Sequence, residues 1–133
     1  MAILIDSTVL IDIERQRRSL DGLSGIADSG PLFVAAVSVS ELLVGVYRAA
    51  TTERARSRAA FVEDVVSRFT IVPFDLAIAR IYGRITADLM ASGQVVGAHD
   101  MQIAATAIAH GYWVLTHNLR DFQRIPGLDV QRM

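Results

Sequence analysis

An α/β domain, with a parallel sheet of about five strands and helices on both faces, is expected from three features of the chain. The apolar stretches Ala2–Ile5, Leu32–Val37, Phe69–Val72 and Trp113–Thr116 are short and nearly uninterrupted, as strands buried on both faces are. Between them lie segments whose apolar residues recur at helical spacing, the alternation that parallel strands need for their crossovers. A length of 133 residues leaves room for one core, so one domain is expected over 1–133.

The elements follow in order. Ala2–Ile5 is a buried strand ended by Asp6. Ser7–Arg15 reads as a helix with Val9, Leu10 and Ile13 on one face. Ser19–Ser29 is expected to form a short second helix, stopped by Gly30-Pro31. Leu32–Val37, rich in β-branched residues, is the second strand, and Ser38 opens a helix through Leu42, Leu43, Val46 and Tyr47. Thr52–Arg68 carries Arg54, Arg56 and Arg58 in its first turns and turns Phe61, Val62, Val65 and Val66 toward the core. Phe69–Val72 is a third strand closed by Pro73. Asp75–Met90 is another long helical pattern, and Asp100–His110 is a small-residue helix ended by Gly111. Trp113–Thr116 is the fourth strand and Leu128–Gln131 the fifth. Sheets of this kind bind ligands beyond the carboxyl ends of their strands, where the winding reverses.

Composition removes several chemistries. There is no cysteine, hence no disulfide, thiolate metal site or cysteine nucleophile. All thirteen basic residues are arginine, which excludes a Walker lysine and a Schiff base. No glycine-flanked serine elbow and no glycine-rich phosphate loop occurs. An aspartate-based phosphatase of the haloacid type needs a second aspartate two residues after the first, and Thr8 stands there. His99, His110 and His117 lack metal-ligand spacing, and structural roles are expected of them. No apolar run is long enough to span a membrane, and the N-terminus lacks a basic start, so a cytoplasmic protein is expected. The 52% apolar share sits slightly above the usual range, which suggests that a partner covers some apolar surface.

Five polar residues fall where the sheet would present a ligand: Asp6, Glu41, Asp100, Asn118 and Asp121. Singly, each acid has a structural explanation. Asp6 suits a helix N-cap. Glu41, three residues after Ser38, fits a capping box. Asp100 suits a first helical turn, and Asp121 a turn or a surface ion pair. Gathered together they would repel strongly and demand a counter-charge. Oxygen donors select Mg²⁺ or Mn²⁺, and a carboxylate-held cation with open positions is the apparatus of phosphoryl-ester hydrolysis.

The segments Ile3-Leu4-Ile5-Asp6-Ser7-Thr8-Val9-Leu10-Ile11, Ser40-Glu41-Leu42-Leu43-Val44-Gly45, Asp100-Met101-Gln102-Ile103-Ala104-Ala105-Thr106-Ala107 and Thr116-His117-Asn118-Leu119-Arg120-Asp121-Phe122 resemble, in order, the four motifs of PIN-domain proteins. The chain looks most like the VapC toxins of bacterial toxin–antitoxin pairs. The resemblance implies a Mg²⁺-dependent endoribonuclease with Mn²⁺ as the alternative ion. Activated water would attack phosphorus in line, leaving a 5′-phosphate and a 3′-hydroxyl. It implies that Asp6 and Asp100 are direct metal ligands and that Glu41 holds a metal-bound water or a second metal. It further implies that Asp121 contributes and that Asn118 ligates or positions water. A homodimer and a cognate VapB-type antitoxin are implied as well, with the antitoxin expected on Ser38–Tyr47 and Thr52–Arg68.

Phosphate contacts fall to arginine, with Arg120 beside the site and Arg54, Arg56 and Arg58 as candidates. On a helix such a run is also simply a solvated face. The competing functions are a non-cleaving RNA-binding or scaffold module, a DNA nuclease of similar shape, and an RNA-processing nuclease without an antitoxin. Retention of an acid at each motif position favours the enzyme.

Overall fold

The computed structural model describes residues 1–133. Five strands form one parallel sheet: β1 (Ile3–Ile5), β2 (Leu32–Ala35), β3 (Thr70–Val72), β4 (Trp113–Thr116) and β5 (Val130–Arg132). Their spatial order is β3-β2-β1-β4-β5. The chain winds outward from β1 through β2 to β3, then returns to lay β4 on the other side of β1. The winding therefore reverses between β1 and β4, in register Ile5 to Leu115. A ligand crevice is expected past their carboxyl ends.

Side-chain alternation along β1 sorts the core into two layers. Ile3 and Ile5 face one way, with Val34 and Leu115, against α1 (Ser7–Arg15), α3 (Ala36–Tyr47) and α4 (Thr52–Arg68). Leu4 faces the other way, with Ala35, Val72 and Val114, against α5 (Leu76–Ala91) and α6 (Ala98–His110). All three β1 residues are fully buried, each side chain contributing about 1.5–3 kcal/mol by leaving water. α6 is made of small residues, with Ala104, Ala105 and Ala107 fully buried, so its backbone packs close against α5 and the sheet. No helix is long and apolar enough to cross a membrane.

Four local expectations are corrected. The apolar run Leu32–Val37 is strand only to Ala35; α3 begins at Ala36, two residues before Ser38. A continuous apolar run carries no period that distinguishes strand from buried helix, which is why the boundary shifts. Ser38 is consequently inside the helix, fully buried, and forms no capping box with Glu41. The segment 19–29 forms a 3₁₀ turn (Leu20–Leu23), capped by Ser19, and one α-turn, α2 (Ser24–Ala27). Gly22 and Gly25 weaken anything longer. Val66 is exposed rather than packed in the core. A one-turn helix, α7 (Leu119–Phe122), follows β4 and was not expected; Phe122 buries fully beneath it.

Candidate metal centre at the winding reversal

Asp6 directly follows β1 and occupies the N-cap position of α1, with φ −70° and ψ 148°. Its carboxylate does not cap that helix. It lies fully buried and accepts hydrogen bonds at Oδ2 from Thr8 Oγ1 and Thr116 Oγ1, each at 2.7 Å. Ser7 Oγ stands 3.4 Å from Asp6 Oδ1 and 2.9 Å from Glu41 Oε2. A hydroxyl has one proton, and the shorter contact takes it. Ser7 therefore donates to Glu41, leaving Oδ1 of Asp6 without a strong donor. Thr8 and Thr116 spend their protons on Asp6, and they accept in turn from the backbone N–H groups of His117 (3.3 Å) and Asn118 (2.8 Å).

Glu41 reaches the same edge from the second turn of α3. His99 Nδ1 lies 2.8 Å from Glu41 Oε1, but off the line a hydrogen bond requires, so this buried oxygen has an ion-pair neighbour and no hydrogen bond. Asp100 enters from the first turn of α6, and Asp121 from α7. Asn118 joins the last two: its Nδ2 donates to Asp121 Oδ2 at 2.9 Å and to Asp100 Oδ2 at 3.3 Å. The opposite amide orientation would set a carbonyl oxygen against two carboxylates, so the charges dictate this one.

Burial pushes the Asp100 carboxyl up to about 6, helped by the charges of Asp6, Asp121 and Glu41 and opposed by His99. Arginines pair with Asp12, Glu14, Asp21 and Asp64, and none with the four site acids. The excess negative charge is met by hydroxyls, one amide and one imidazole. No three acids or histidines close into a ready-made cage. The donor set is all oxygen, unpaired by arginine, and has free lone pairs at Asp6 Oδ1 and Glu41 Oε1. That fits a hard divalent cation which keeps several waters of its own.

The structure thus brings Asp6, Glu41, Asp100, Asn118 and Asp121 to one edge. Arg120, on α7, is exposed beside it. Arg54, Arg56 and Arg58 lie apart, on α4. Arg58 donates to the Gly45 carbonyl at 2.8 Å and approaches Glu14 at 3.7 Å, a helix-packing role. Sequence reasoning assigned no role to Ser7, Thr8 or Thr116. Their only signal is position, since all three lie inside the motif segments at the ends of β1 and β4.

A parallel sheet that reverses at β1, with an oxygen-only acidic cluster at the reversal, is the arrangement of a PIN domain. The sequence profile described as PIN domain matches residues 3–128, and the chain belongs to that family. VapC proteins are among its relatives. "Ribonuclease VapC1" of Rickettsia felis is 41% identical over 130 residues, covering 98% of this chain and 95% of the relative. "tRNA(fMet)-specific endonuclease VapC" of Salmonella typhimurium is 35% identical, covering 74% and 72%. Among solved structures, the DNA-bound VapBC complex of Salmonella typhimurium has a chain that superposes with a TM-score of 0.88 at 26% identity, covering 99% of this chain and 98% of that one.

Proposed function

We propose that this protein is a Mg²⁺-dependent endoribonuclease, the toxin of a VapBC-type pair. One observation carries the reading: four acids from four separate elements converge at the winding reversal with no arginine to neutralise them. The names of the VapC relatives agree with it.

Asp6 and Asp100 would hold the cation directly, Glu41 through water or a second ion, and Asp121 would complete the acidic set. Mn²⁺ suits the same donors. Bound there, the ion would lower the pKa of water for attack on phosphorus and screen the phosphate oxygens. The chain's own groups do the rest. Thr8 and Thr116 fix the rotamer of Asp6, Ser7 fixes Glu41, and Asn118 sets the spacing of Asp100 and Asp121. Asn118 acts here as a positioning residue, because its amide N–H groups face the acids. Arg120, exposed on α7, would meet a phosphate beside the cleaved bond.

The antitoxin has a place to bind. A cavity of about 410 Å³ runs between α1, α3 and α4; five apolar residues, Leu42 and Phe61 among them, line it together with Glu41, Glu14 and three arginines. An apolar segment laid there would reach the acidic edge. Phe74, Leu76, Met90 and Val95, exposed on α5 and its flanks, offer a second copy a separate apolar face and support a homodimer.

The test is cleavage of structured RNAs, initiator tRNA among them because the Salmonella relative is named for it. Cleavage is expected with Mg²⁺ and is expected to vanish in EDTA and in Asp100→Asn. RNA binding without cleavage by folded, antitoxin-free protein would establish the scaffold function instead. Expression with and without the adjacent small gene tests the toxin assignment.

A further inference from the structure

We propose that Arg15, Arg17 and Arg54 form a separate holding surface for the RNA phosphodiester backbone, to one side of the cleaved bond. The proposal rests on the ribonuclease reading above. A cavity of about 800 Å³ lies between the end of α1 and the start of α4; five of its ten lining residues are arginine and two are glutamate. Arg58 is held by the Gly45 carbonyl and Glu14, and Arg18 by Asp12 at 2.9 Å. Arg15, Arg17 and Arg54 have no such partner and line the same cavity, in a chain of net charge −1. Repulsion among unpaired cations is relieved by a polyanion.

Arg15 links this surface to the neighbourhood of Asp6. Arg15 also lines a cavity of about 480 Å³ with Thr8 and His117, residues that touch or flank the Asp6 cradle. Thr8 to Arg15 is about 10 Å of helix, the length of roughly three stacked nucleotides.

A second observation concerns the backbone. Arg17 has φ +53°, the one non-glycine residue with positive φ. It stands just past the C-cap of α1, where its N–H donates to the Glu14 carbonyl and the Arg18 N–H to that of Ile13. This is a Schellman ending, in which glycine is the favoured residue at that position. The sequence has an arginine where a glycine would cost less, and that arginine lines the basic cavity. A side chain retained against backbone preference points to a use for its charge.

The test measures binding of a fluorescent single-stranded RNA oligonucleotide of mixed sequence across a salt series, in an Asp100→Asn background. Replacing all three arginines by alanine is expected to weaken binding about tenfold or more. It should also flatten the slope of log K against log salt by about 2, from roughly 0.7 per phosphate contact on a single strand. Arg80→Ala with Arg84→Ala, exposed on α5, should change neither. Arg17→Gly alone should raise Tm while weakening RNA binding, a split that a purely structural role does not produce. Unchanged affinity and salt slope in the triple variant overturn the proposal and leave the nuclease reading standing. Wild-type protein that neither binds nor cleaves RNA overturns both. Loss of binding to an acidic peptide with RNA binding intact would assign the surface to a protein partner and also overturn it.

Discussion

Two acidic groupings in this molecule have opposite electrostatics. Asp21 and Asp64 share Arg68 at the surface, at 2.6 and 2.8 Å. Arg68 beside Asp21 holds its carboxyl below the usual range, and the pairing raises the Arg68 guanidinium in turn. At the winding reversal, burial and like charges push Asp100 the other way, to about 6. The same residue type is thus compensated from within at one place and left uncompensated at another. The surface triad is complete as it stands. The edge of β1 and β4 has no arginine of its own to complete it.

The contrast is most strongly tested by Asp100→Asn. RNA cleavage should fall about 100-fold or more, since a charged oxygen donor is lost. The melting temperature of the metal-free protein at neutral pH should rise, because one of four repelling charges is gone. A fall in both would mean that Asp100 holds the fold rather than a cation.

Next in size is a pH effect. Asp100 has a raised pKa in the folded state, so between about 4 and about 6 the folded chain binds more protons than the unfolded one. Its contribution to stability is therefore lost as pH rises through that window, by less than the full shift implies because solvent partly screens a half-buried carboxylate. Thermal melts in EDTA should show the decline, Asp100→Asn should lack it, and Mg²⁺ should offset it. Identical pH profiles for wild type and Asp100→Asn would refute the assignment.

Thr116→Val keeps the shape of the side chain and removes a proton from the buried Asp6. A loss of about 1–3 kcal/mol is expected in chemical denaturation, with weaker Mg²⁺ binding. The smallest effect is reserved for the paired grouping. Arg68→Ala breaks both contacts of an exposed cation, and Tm and cleavage should barely change. A large loss there would show that the surface triad matters more than its exposure allows.

Much of this architecture was legible beforehand. The strand cores around Leu4, Val34 and Leu115 are written as apolar runs, and the four acids follow from the motifs that contain them. The sequence could not decide between capping and site chemistry for Asp6, because an aspartate after a strand serves either. Only the orientation of its carboxylate, away from the α1 amides and toward Thr8 and Thr116, separates the two. Those threonines were invisible for a related reason: threonine is an ordinary residue in a strand end or a first helical turn. The capping box that was the structural alternative for Glu41 does not form, since α3 starts two residues before Ser38. The charge run at Arg54, Arg56 and Arg58 gave no hint that Arg15 and Arg17 would line one cavity with its first and last members. That grouping depends on how α1 ends against α4.

β1 is hydrogen-bonded on both sides, to β2 and β4, and every one of its side chains is sealed from solvent. Amide hydrogens of such a strand exchange only when the whole molecule opens. Asp6 is thus mounted on the element with the least freedom to move, and the cradle around it needs no hinge, lid or ordering loop to form. The carboxylate of Asp6 and its two threonine donors are in place as soon as the chain folds. Restraint has to come from a molecule that stays over it and leaves on schedule, and the timing of activity becomes the lifetime of that cover.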